Sequence, residues 1–166
     1  SFSKYNPDGS LLIWASYLGG NSGENPHSMI VNTSGELCVL GTSSSADFPV
    51  TSGAYDNTLG GQTDIVLTHF SEDGSNLIGS TFLGGADSDG LNQMFANYGE
   101  NYRGEIFLDN ADNIIIASCT SSADFPVTAG AFQSTLGGGQ DGVLVSMLPI
   151  AVPCFGTIPG LIDDKN

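Results

Sequence analysis

The residues best suited to chemistry in this sequence lie in one stretch, residues 86–105, which reads ADSDGLNQMFANYGENYRGE. It contains the only arginine of the chain, Arg103, together with Tyr98, Glu100 and Tyr102. A guanidinium group donates a fork of hydrogen bonds that suits a carboxylate or a sugar hydroxyl, and tyrosine rings offer a platform beside it. These four residues are therefore a candidate ligand site, with glycans as the ligand class.

A structural interpretation of Arg103 is also open. A salt bridge from Arg103 to Glu100 or to Glu105 would hold the stretch together without any ligand. The first interpretation predicts a tyrosine-lined binding surface, whereas the second predicts only a stabilised loop.

The same stretch begins with Asp87-Ser88-Asp89-Gly90, in which carboxylates alternate before a glycine as they do at the start of a calcium-binding loop. The rest of that pattern is missing, because the third ligand position is not acidic and the twelfth residue is Tyr98 instead of glutamate. Ca²⁺ is therefore a candidate ligand of Asp87 and Asp89 on part of a motif, and we expect no other cofactor.

The sequence contains no recognisable catalytic constellation. His27 and His69 have no cysteine or second histidine at ligand spacing, neither belongs to a recognisable triad, and no GxSxG motif accompanies the many serines. Paired carboxylates for glycoside hydrolysis depend on distances in space, which sequence spacing does not give. We therefore expect a protein that is not an enzyme.

The charge balance narrows the range of partners. The chain has 18 acidic and 3 basic residues, for a formal net charge of −15, and a surface of that sign repels nucleic acids and anionic lipids. No apolar run approaches the roughly 18 residues of a membrane-spanning helix. We predict no nucleic-acid partner and no membrane insertion. The acidic surplus indicates either solubility in an extracellular or salty medium or cation binding by clustered carboxylates.

The three cysteines, Cys38, Cys119 and Cys154, form no CxxC pair and no Cys/His cluster. Two interpretations are open for them. Either they are small buried apolar residues, or Cys119 and Cys154 form a single disulfide.

The elements that must position these residues are repeated along the chain. Residues 43–61 return as residues 120–138 with 14 of 19 positions identical at an offset of 77, and residues 8–20 return as residues 73–85 at an offset of 65. The two offsets differ by 12, so the second copy carries a 12-residue insertion between its LGG and its next strand. Repeats of this size are typical of arrays of structural units.

Each copy divides into short apolar runs separated by turn residues. Runs of four to eight residues rich in Ile, Val, Leu, Phe and Thr predict β-strands, and Ser34-Gly35 and Asp112-Asn113 suit tight hairpins. Four antiparallel strands per unit is the pattern of a β-propeller blade. The expected strands are residues 28–32, 36–43, 64–70 and 76–84 in the first copy and residues 105–110, 113–121 and 141–148 in the second.

The most constant part of the repeat is the string ADFPVT. We expect its aspartate to accept a hydrogen bond from a backbone amide two residues on, in an Asx-turn, and its proline to hold the preceding phenylalanine extended. The phenylalanine is then free to fill the seam between neighbouring sheets, which stabilises the fold by about 2–3 kcal/mol on full burial. These structural positions are Asp47, Phe48 and Pro49 in the first copy and Asp124, Phe125 and Pro126 in the second.

The pattern (S/T)-x-LGG, then GTSSSADFPVTSGAY, then LGGxxDxxL resembles the bacterial β-propeller repeat known as the SBBP repeat, and both copies match it over roughly residues 8–148. The string TSSADFPVTAGAFQ is the most specific part of the resemblance. The resemblance implies an all-β protein of propeller blades, located outside the cell or on the bacterial cell surface. Such repeats are typical of large secreted or surface proteins of the Bacteroidetes lineage, some of which are linked to type IX secretion, gliding motility or adhesion.

The resemblance implies architecture and brings no catalytic residues with it. The leading hypothesis is a non-enzymatic structural or protein-interaction module, with other blades of the same protein or surface-complex proteins as partners. One alternative is a carbohydrate-binding module that uses the loop at 86–105. A further alternative is an enzyme whose active site lies in other blades.

On this interpretation the chain divides into repeats and a tail. Two blade-like units of four strands each are expected, and the first residues complete a preceding blade. The boundaries are residues 1–148 for the repeats, with 1–20 completing the preceding blade and units at about 21–85 and 86–148, and residues 149–166 for a non-repeat tail or connection.

The sequence opens inside a repeat, because Phe2-Ser3 is aligned with Phe70-Ser71, which closes a strand in the second copy. Two blades and parts of their neighbours are too few to close a propeller, which typically has at least four. We therefore expect a fragment of a larger propeller; the alternative is that several chains complete the ring.

Overall fold

The structure, a computed structural model, describes residues 1–92 and 104–148. Within these residues all regular secondary structure is β-strand. An all-β protein is therefore confirmed for this part of the chain. The nine strands are β1 (Phe2–Tyr5), β2 (Leu12–Ser16), β3 (Glu24–Val31), β4 (Leu37–Ser43), β5 (Asp64–Phe70), β6 (Leu77–Leu83), β7 (Glu105–Leu108), β8 (Ile114–Thr120) and β9 (Asp141–Met147).

The strands form three antiparallel sheets in which neighbours along the chain are neighbours in space. The first sheet is β1–β2, the second is β3–β4–β5–β6, and the third is β7–β8–β9. The expected four-stranded unit is thus found in the second sheet. The third sheet has three strands within the described residues, because the DGS…LGG pattern that forms β6 does not recur directly after β9.

The hairpin turns follow from local sequence. Gly35 and Asp112 occupy the same place in the β3–β4 and β7–β8 hairpins, and both have positive φ, 81° and 59° respectively. Their amides donate to the carbonyls of Asn32 and Asp109 at 3.1 and 3.0 Å. Glycine and aspartate are among the residues that tolerate this left-handed backbone, so the two hairpin turns are confirmed where they were predicted.

The first sheet repeats the second half of the second sheet. Phe2 pairs with Ser16 in β1–β2, and Leu67 pairs with Thr81 in β5–β6, with one ladder irregularity at the same distance from the turn in each. Since Ser16 and Thr81 are equivalent in the repeat, Phe2 is equivalent to Leu67. The alignment of Phe2 with Phe70 is therefore wrong, because it would shift the strand by three residues in its ladder.

The sheets pack in chain order, and each interface has its own apolar cluster. Phe48, Val66 and Phe82 form a buried cluster against which Leu18 packs from the first sheet. β5 is buried along its whole length because it is an inner strand of a sheet that is covered on both faces. The buried cluster between the second and third sheets comprises Cys38, Leu40, Ile65, Leu67, Leu83, Ile106, Ile114, Ile116 and Phe125.

Candidate functional site

The described residues on the two sides of the insertion pair with the same strand of the third sheet. Before the insertion, Asp89 forms an isolated antiparallel bridge to Thr120 at the end of β8. After it, Glu105 begins β7 opposite Ala117 of the same strand. Both ends of the insertion are therefore held by one neighbouring strand.

β3 is the uninterrupted version of this strand. Glu24 and Ser28, the equivalents of Asp89 and Glu105, both pair with β4. Three residues, 25–27, separate these two positions in β3, whereas fifteen residues, 90–104, separate them in the third unit. This difference in length equals the difference between the two repeat offsets, so the insertion lies where the offsets predicted it.

The candidate glycan site of the insertion lies outside the described residues, and its ligand stays a prediction. Glu105, the other partner suggested for the arginine, is described, and its carboxylate accepts a hydrogen bond from Ser28 Oγ at 3.1 Å. Ser28 occupies the same position in β3, so this contact joins equivalent places of neighbouring sheets. The residues outside the description are Tyr98, Glu100, Tyr102 and Arg103.

The two aspartates of the calcium-like motif have different surroundings. Asp87 is exposed, whereas Asp89 is fully buried. The Asp89 carboxylate accepts hydrogen bonds from the Gly85 amide at 2.8 Å, from Ser122 Oγ at 2.9 Å and from Thr120 Oγ1. Burial raises the pKa of Asp89, although these three donors act to lower it. Asp89 therefore has a structural role at the sheet junction, and Ca²⁺ binding stays a prediction.

The aspartates of the ADFPVT string bind the connection that leads from the preceding sheet. Asp47 accepts hydrogen bonds from the backbone and side-chain amides of Asn21, and Asp124 accepts one from the backbone amide of Ala86 at 2.8 Å. Asn21 and Ala86 each follow an LGG tripeptide, so both sheet junctions contain this contact. The predicted Asx-turn is wrong, because the residue two places after each aspartate is a proline and has no N–H to donate.

A second carboxylate, Glu24, completes the junction between the first and second sheets. Its Oε1 accepts hydrogen bonds from the Gly20 amide at 3.2 Å, from Ser43 Oγ at 3.1 Å and from Ser45 Oγ. The Ser45 hydroxyl oxygen in turn accepts the Ser22 amide at 2.7 Å. The loop after LGG is thus tied to the loop after β4 by a network of backbone and side-chain hydrogen bonds.

The junction between the second and third sheets repeats this network with Asp89 in place of glutamate. Ser122 Oγ accepts the Asp87 amide at 2.9 Å, as Ser45 does at the first junction. We call the repeated set the junction clamp. It consists of Gly20, Glu24, Ser45 and Asp47 at the first junction and of Gly85, Asp89, Ser122 and Asp124 at the second.

The second glycine of the LGG before each sheet junction, Gly20 or Gly85, is required by close approach. A Cβ on Gly20 would lie 2.3 Å from Asp47 Oδ1, and one on Gly85 would lie 2.4 Å from Asp124 Oδ1. Any side chain at these positions would separate the carboxylate from the amide that it binds. Glycine is needed here for space, since neither residue has a positive φ.

A pair of buried carboxylates lies beside the second junction. A Cβ on Gly84 would lie 2.7 Å from an oxygen of both Asp64 and Asp89, so the two side chains face the same point. Asp64 accepts the amides of Gly60 and Gly61 at 2.7 and 3.2 Å. Burial raises the pKa of Asp64 to about 6, against the two amides that lower it and with a smaller contribution from the charge of Asp89.

The two histidines have local structural partners. His69 is buried, and its Nε2 lies 3.1 Å from Glu36 Oε2. His27 Nε2 lies 3.4 Å from Thr42 Oγ1, and burial lowers the pKa of His27 to about 4. His27 is therefore neutral at pH 7.

The described cysteines are not joined to each other by a disulfide. Cys38 is buried in the cluster between the second and third sheets, and burial raises the pKa of its thiol to about 12, with smaller contributions from Glu36 and Asp112. Burial also raises the pKa of the Cys119 thiol. Both thiols are therefore poor nucleophiles at neutral pH. Cys154 lies outside the described residues.

Neither a metal cluster nor a membrane-spanning helix is present in the part of the chain that the structure describes. Within residues 1–92 and 104–148, no three His, Cys, Asp or Glu side chains are grouped so that they could hold a metal ion. The same residues contain no helix with the length and apolar character needed to cross a bilayer.

Sequence reasoning missed the serine and glutamate members of the junction clamp. The sequence does contain a usable signal. Four residues after one glycine of each LGG there is a carboxylate, and it accepts a hydrogen bond from the backbone amide of that glycine. Four pairs follow this rule, at 3.2, 2.7, 2.8 and 2.7 Å: Gly20–Glu24, Gly60–Asp64, Gly85–Asp89 and Gly137–Asp141.

A scan against protein-family models, a search of curated proteins and a search of solved structures each found no match to this chain. The established features are the all-β fold and the two sheet junctions. They are the observations from which a function can be inferred.

Proposed function

We propose that the chain is a non-enzymatic structural and protein-interaction module of an extracellular or cell-surface β-propeller, with the three sheets as consecutive blades. The observation that carries the proposal is that both sheet junctions are built from the same junction clamp. A junction that recurs with the same contacts rotates each unit by a similar amount relative to the last. A constant rotation is the geometry of a ring or of a regular array.

The packing of the second sheet supports this role as a scaffold. It is covered on one face by the first sheet and on the other by the third, and its central strand β5 is buried throughout. Units of a repeat array stabilise one another in this way, because none of them buries its apolar faces alone. The acidic surface, with a net charge of −15, favours solubility.

The location can be tested on intact cells of the source bacterium. Antibodies raised against the chain are expected to label unpermeabilised cells or to detect the protein in the culture medium, and an added protease is expected to remove the signal. A cytoplasmic protein serves as the control for cell integrity. A signal that appears only after lysis would contradict an extracellular role.

The interaction role can be tested by cross-linking on the same cells. A membrane-impermeant cross-linker is expected to join the protein to other surface proteins, and mass spectrometry of the products identifies them. Cross-links confined to the protein's own repeats would support a purely structural role and would contradict the interaction role.

A second candidate function is glycan binding by the insertion. It is favoured by one observation: both ends of the insertion are held by β8, so the extra residues are not needed to complete the sheet. A glycan array with the wild-type chain is expected to show binding that Tyr102→Ala abolishes. Tyr17→Ala, at an exposed tyrosine directly after β2, is the matched control. Absence of binding to the whole array would exclude this function for the glycans tested.

A further inference from the structure

The second sheet shows how a unit of this protein holds its fourth strand. Along one edge β6 pairs with β5, where Val66 lies opposite Phe82 and Thr68 lies opposite Ser80. Along its other edge β6 is bound by the loop that follows β4. The fourth strand therefore lies in a groove that has hydrogen-bonding groups on both sides.

The loop binds β6 mainly through backbone atoms. The Thr51 amide donates to the Ser80 carbonyl at 3.0 Å, and the Phe82 amide donates to the Asp56 carbonyl at 3.0 Å. The Ser80 hydroxyl donates to the Pro49 carbonyl at 2.6 Å, and the Ser80 amide donates to Thr51 Oγ1 at 3.0 Å. Only the Thr51 contribution depends on a side chain of the loop.

The floor of the groove is apolar. Phe82 points into it and is fully buried against Phe48 and Val66, with Val50 and Leu59 packed around them. The groove therefore selects an extended segment with an aromatic side chain at this position and a small hydroxyl residue two positions earlier.

The third sheet contains the same groove-forming residues. The loop keeps its backbone turn, because the Ala131 amide donates to the Thr128 carbonyl at 3.1 Å as the Ala54 amide does to Thr51 at 3.0 Å. At the offset of 77, the loop and floor residues Pro49, Thr51, Phe48, Val50, Leu59 and Val66 recur as Pro126, Thr128, Phe125, Val127, Leu136 and Val143.

Within the described residues, β9 is an edge strand with no partner on its outer side. Val127 is 51% exposed, whereas its equivalent Val50 is partly buried against Phe82. The loop and the floor are thus in place around a strand position that no described segment fills. Such an edge accepts an added strand through its main-chain groups.

We propose that this groove, formed by the outer edge of β9 and the loop 126–133, is a docking site for a β-strand with the pattern of residues 73–85, DGSNLIGSTFLGG. The occupant is one kind of segment, the fourth strand of a further unit of the same repeat. Residues 8–20, DGSLLIWASYLGG, show that this pattern recurs with tyrosine in place of phenylalanine and with Ala15 in place of Ser80. The inference rests on the proposed scaffold role only in treating the sheets as equivalent units.

A synthetic peptide tests the site directly. Fluorescently labelled DGSNLIGSTFLGG is titrated with the complete 166-residue chain, and anisotropy is expected to show saturable binding. The same peptide with Phe82→Asp is expected to bind at least tenfold more weakly, because a carboxylate would enter the apolar floor. Absence of saturable binding would overturn the inference. This holds also if another segment of the chain, such as residues 149–166, blocks the groove.

Variants of the protein locate the binding. Val127→Arg is expected to weaken binding of the peptide at least tenfold, because it places a charge on the floor of the groove. Tyr5→Arg, at an exposed position of β1, is the matched control and is expected to bind as the wild type does. Unchanged binding to Val127→Arg would overturn the inference.

A milder variant covers the case in which Val127→Arg fails to fold. Thr128→Val keeps the side-chain shape and removes only the hydroxyl that would accept the amide of the incoming strand. Binding several-fold weaker than wild type is expected, and equal binding would show that Thr128 does not act as Thr51 does in the second sheet, which would contradict the docking site. Peptide binding does not require ring closure, so an open array would refute the propeller and leave the docking site intact.

Discussion

Buried carboxylates stand out among the single residues of this protein. Asp64 and Asp89 are both fully buried and face the same point, next to the junction of the second and third sheets. Burying a charged carboxylate is costly unless hydrogen bonds replace its water. The loop amides and hydroxyls supply those bonds, which explains why glycines and serines surround each carboxylate.

The first prediction concerns the pH dependence of stability. Asp64 has a pKa of about 6 in the folded protein against an ordinary value of 3.8. Because the folded pKa is raised, this residue's stabilising contribution is complete below pH 3.8 and is lost as the pH rises through 6. The unfolding free energy of the wild type should therefore fall between pH 4 and pH 7. We expect this fall to be smaller in Asp64→Asn, by on the order of 2 kcal/mol.

Urea denaturation at several pH values measures this slope, and Asp73→Asn is the matched control. Hydrogen bonds from Ser71 and Ser75 lower the pKa of Asp73 to about 2. The stability that Asp73 contributes is therefore lost only below pH 3.8, so its variant should keep the wild-type slope between pH 4 and 7. A slope in Asp64→Asn equal to that of the wild type would show that Asp64 is not the titrating group.

The second prediction concerns the LGG glycines. Gly85→Ala places a methyl group 2.4 Å from Asp124 Oδ1, so the junction clamp must open. We expect a loss of about 2–4 kcal/mol in unfolding free energy. Gly138→Ala is the control, since a Cβ there meets nothing within 4 Å. Chemical denaturation that showed equal stabilities for the two variants would contradict the close-approach explanation.

Among the elements, the first strand differs most between the second and third sheets. β3 is continuous, whereas its counterpart in the third sheet is divided by the insertion between Asp89 and Glu105. Since both ends remain paired to β8, the sheet does not depend on the inserted residues. The insertion is therefore the element most free to carry a function of its own.

The third prediction follows from that arrangement. Replacing residues 90–104 by Asn-Pro-His, the sequence of residues 25–27, should restore a continuous first strand in the third sheet. We expect cooperative unfolding and a loss of stability of no more than about 3 kcal/mol, because one of the replaced residues, Gly90, is buried and a Cβ there would lie 2.3 Å from Thr42 Cγ2. Any glycan binding by the insertion should be lost. Circular dichroism during thermal unfolding measures cooperativity and stability. Loss of cooperative unfolding would show that the insertion supports the sheet.

The strands were predictable from sequence to different degrees. β5 was predicted with its observed bounds, because its apolar run is unbroken and flanked by turn residues. β3 was predicted to begin at residue 28 but begins at Glu24. The missed residues include Pro26, which disfavours a strand, and the ladder has an irregularity there that accommodates it.

The junction clamp was not predictable in the same way. Asp124 binds the amide of Ala86, and Ser122 binds Asp89, so the contacts join residues 38 and 33 positions apart in the chain. Local propensity carries no information about such partners. Only the recurrence of a carboxylate four residues after a glycine indicates that these loops are built alike.

For the whole molecule, net charge is the property with the widest effect. A formal charge of −15 on a chain of this size produces repulsion within the folded state. Salt screens such repulsion, because the Debye length falls from about 30 Å at 0.01 M to about 3 Å at 1 M.

The fourth prediction is that sodium chloride stabilises the protein at pH 7. The melting temperature should rise by several degrees between low salt and 0.5 M, on the order of 1 kcal/mol. Near the isoelectric point of about 4.1 the effect should vanish, since the net charge is close to zero. A melting temperature that did not respond to salt at pH 7 would show that the charges are too widely spread to matter.

The two ends of the described chain differ from its middle. Leu67 of β5 is fully buried under the third sheet, whereas its equivalent in β9, Leu144, is 78% exposed. The exposed face of the third sheet is thus equivalent to the face by which the second sheet packs against its neighbour. A further unit of the same kind would cover it in the proposed propeller.

The most direct test of the proposed propeller is an electron-microscopic reconstruction of the protein in its native assembly. We expect a closed ring of four-stranded blades, in which one rotation relates the first sheet to the second and the second to the third. An open stack, or two unequal rotations at the two junctions, would contradict the proposal.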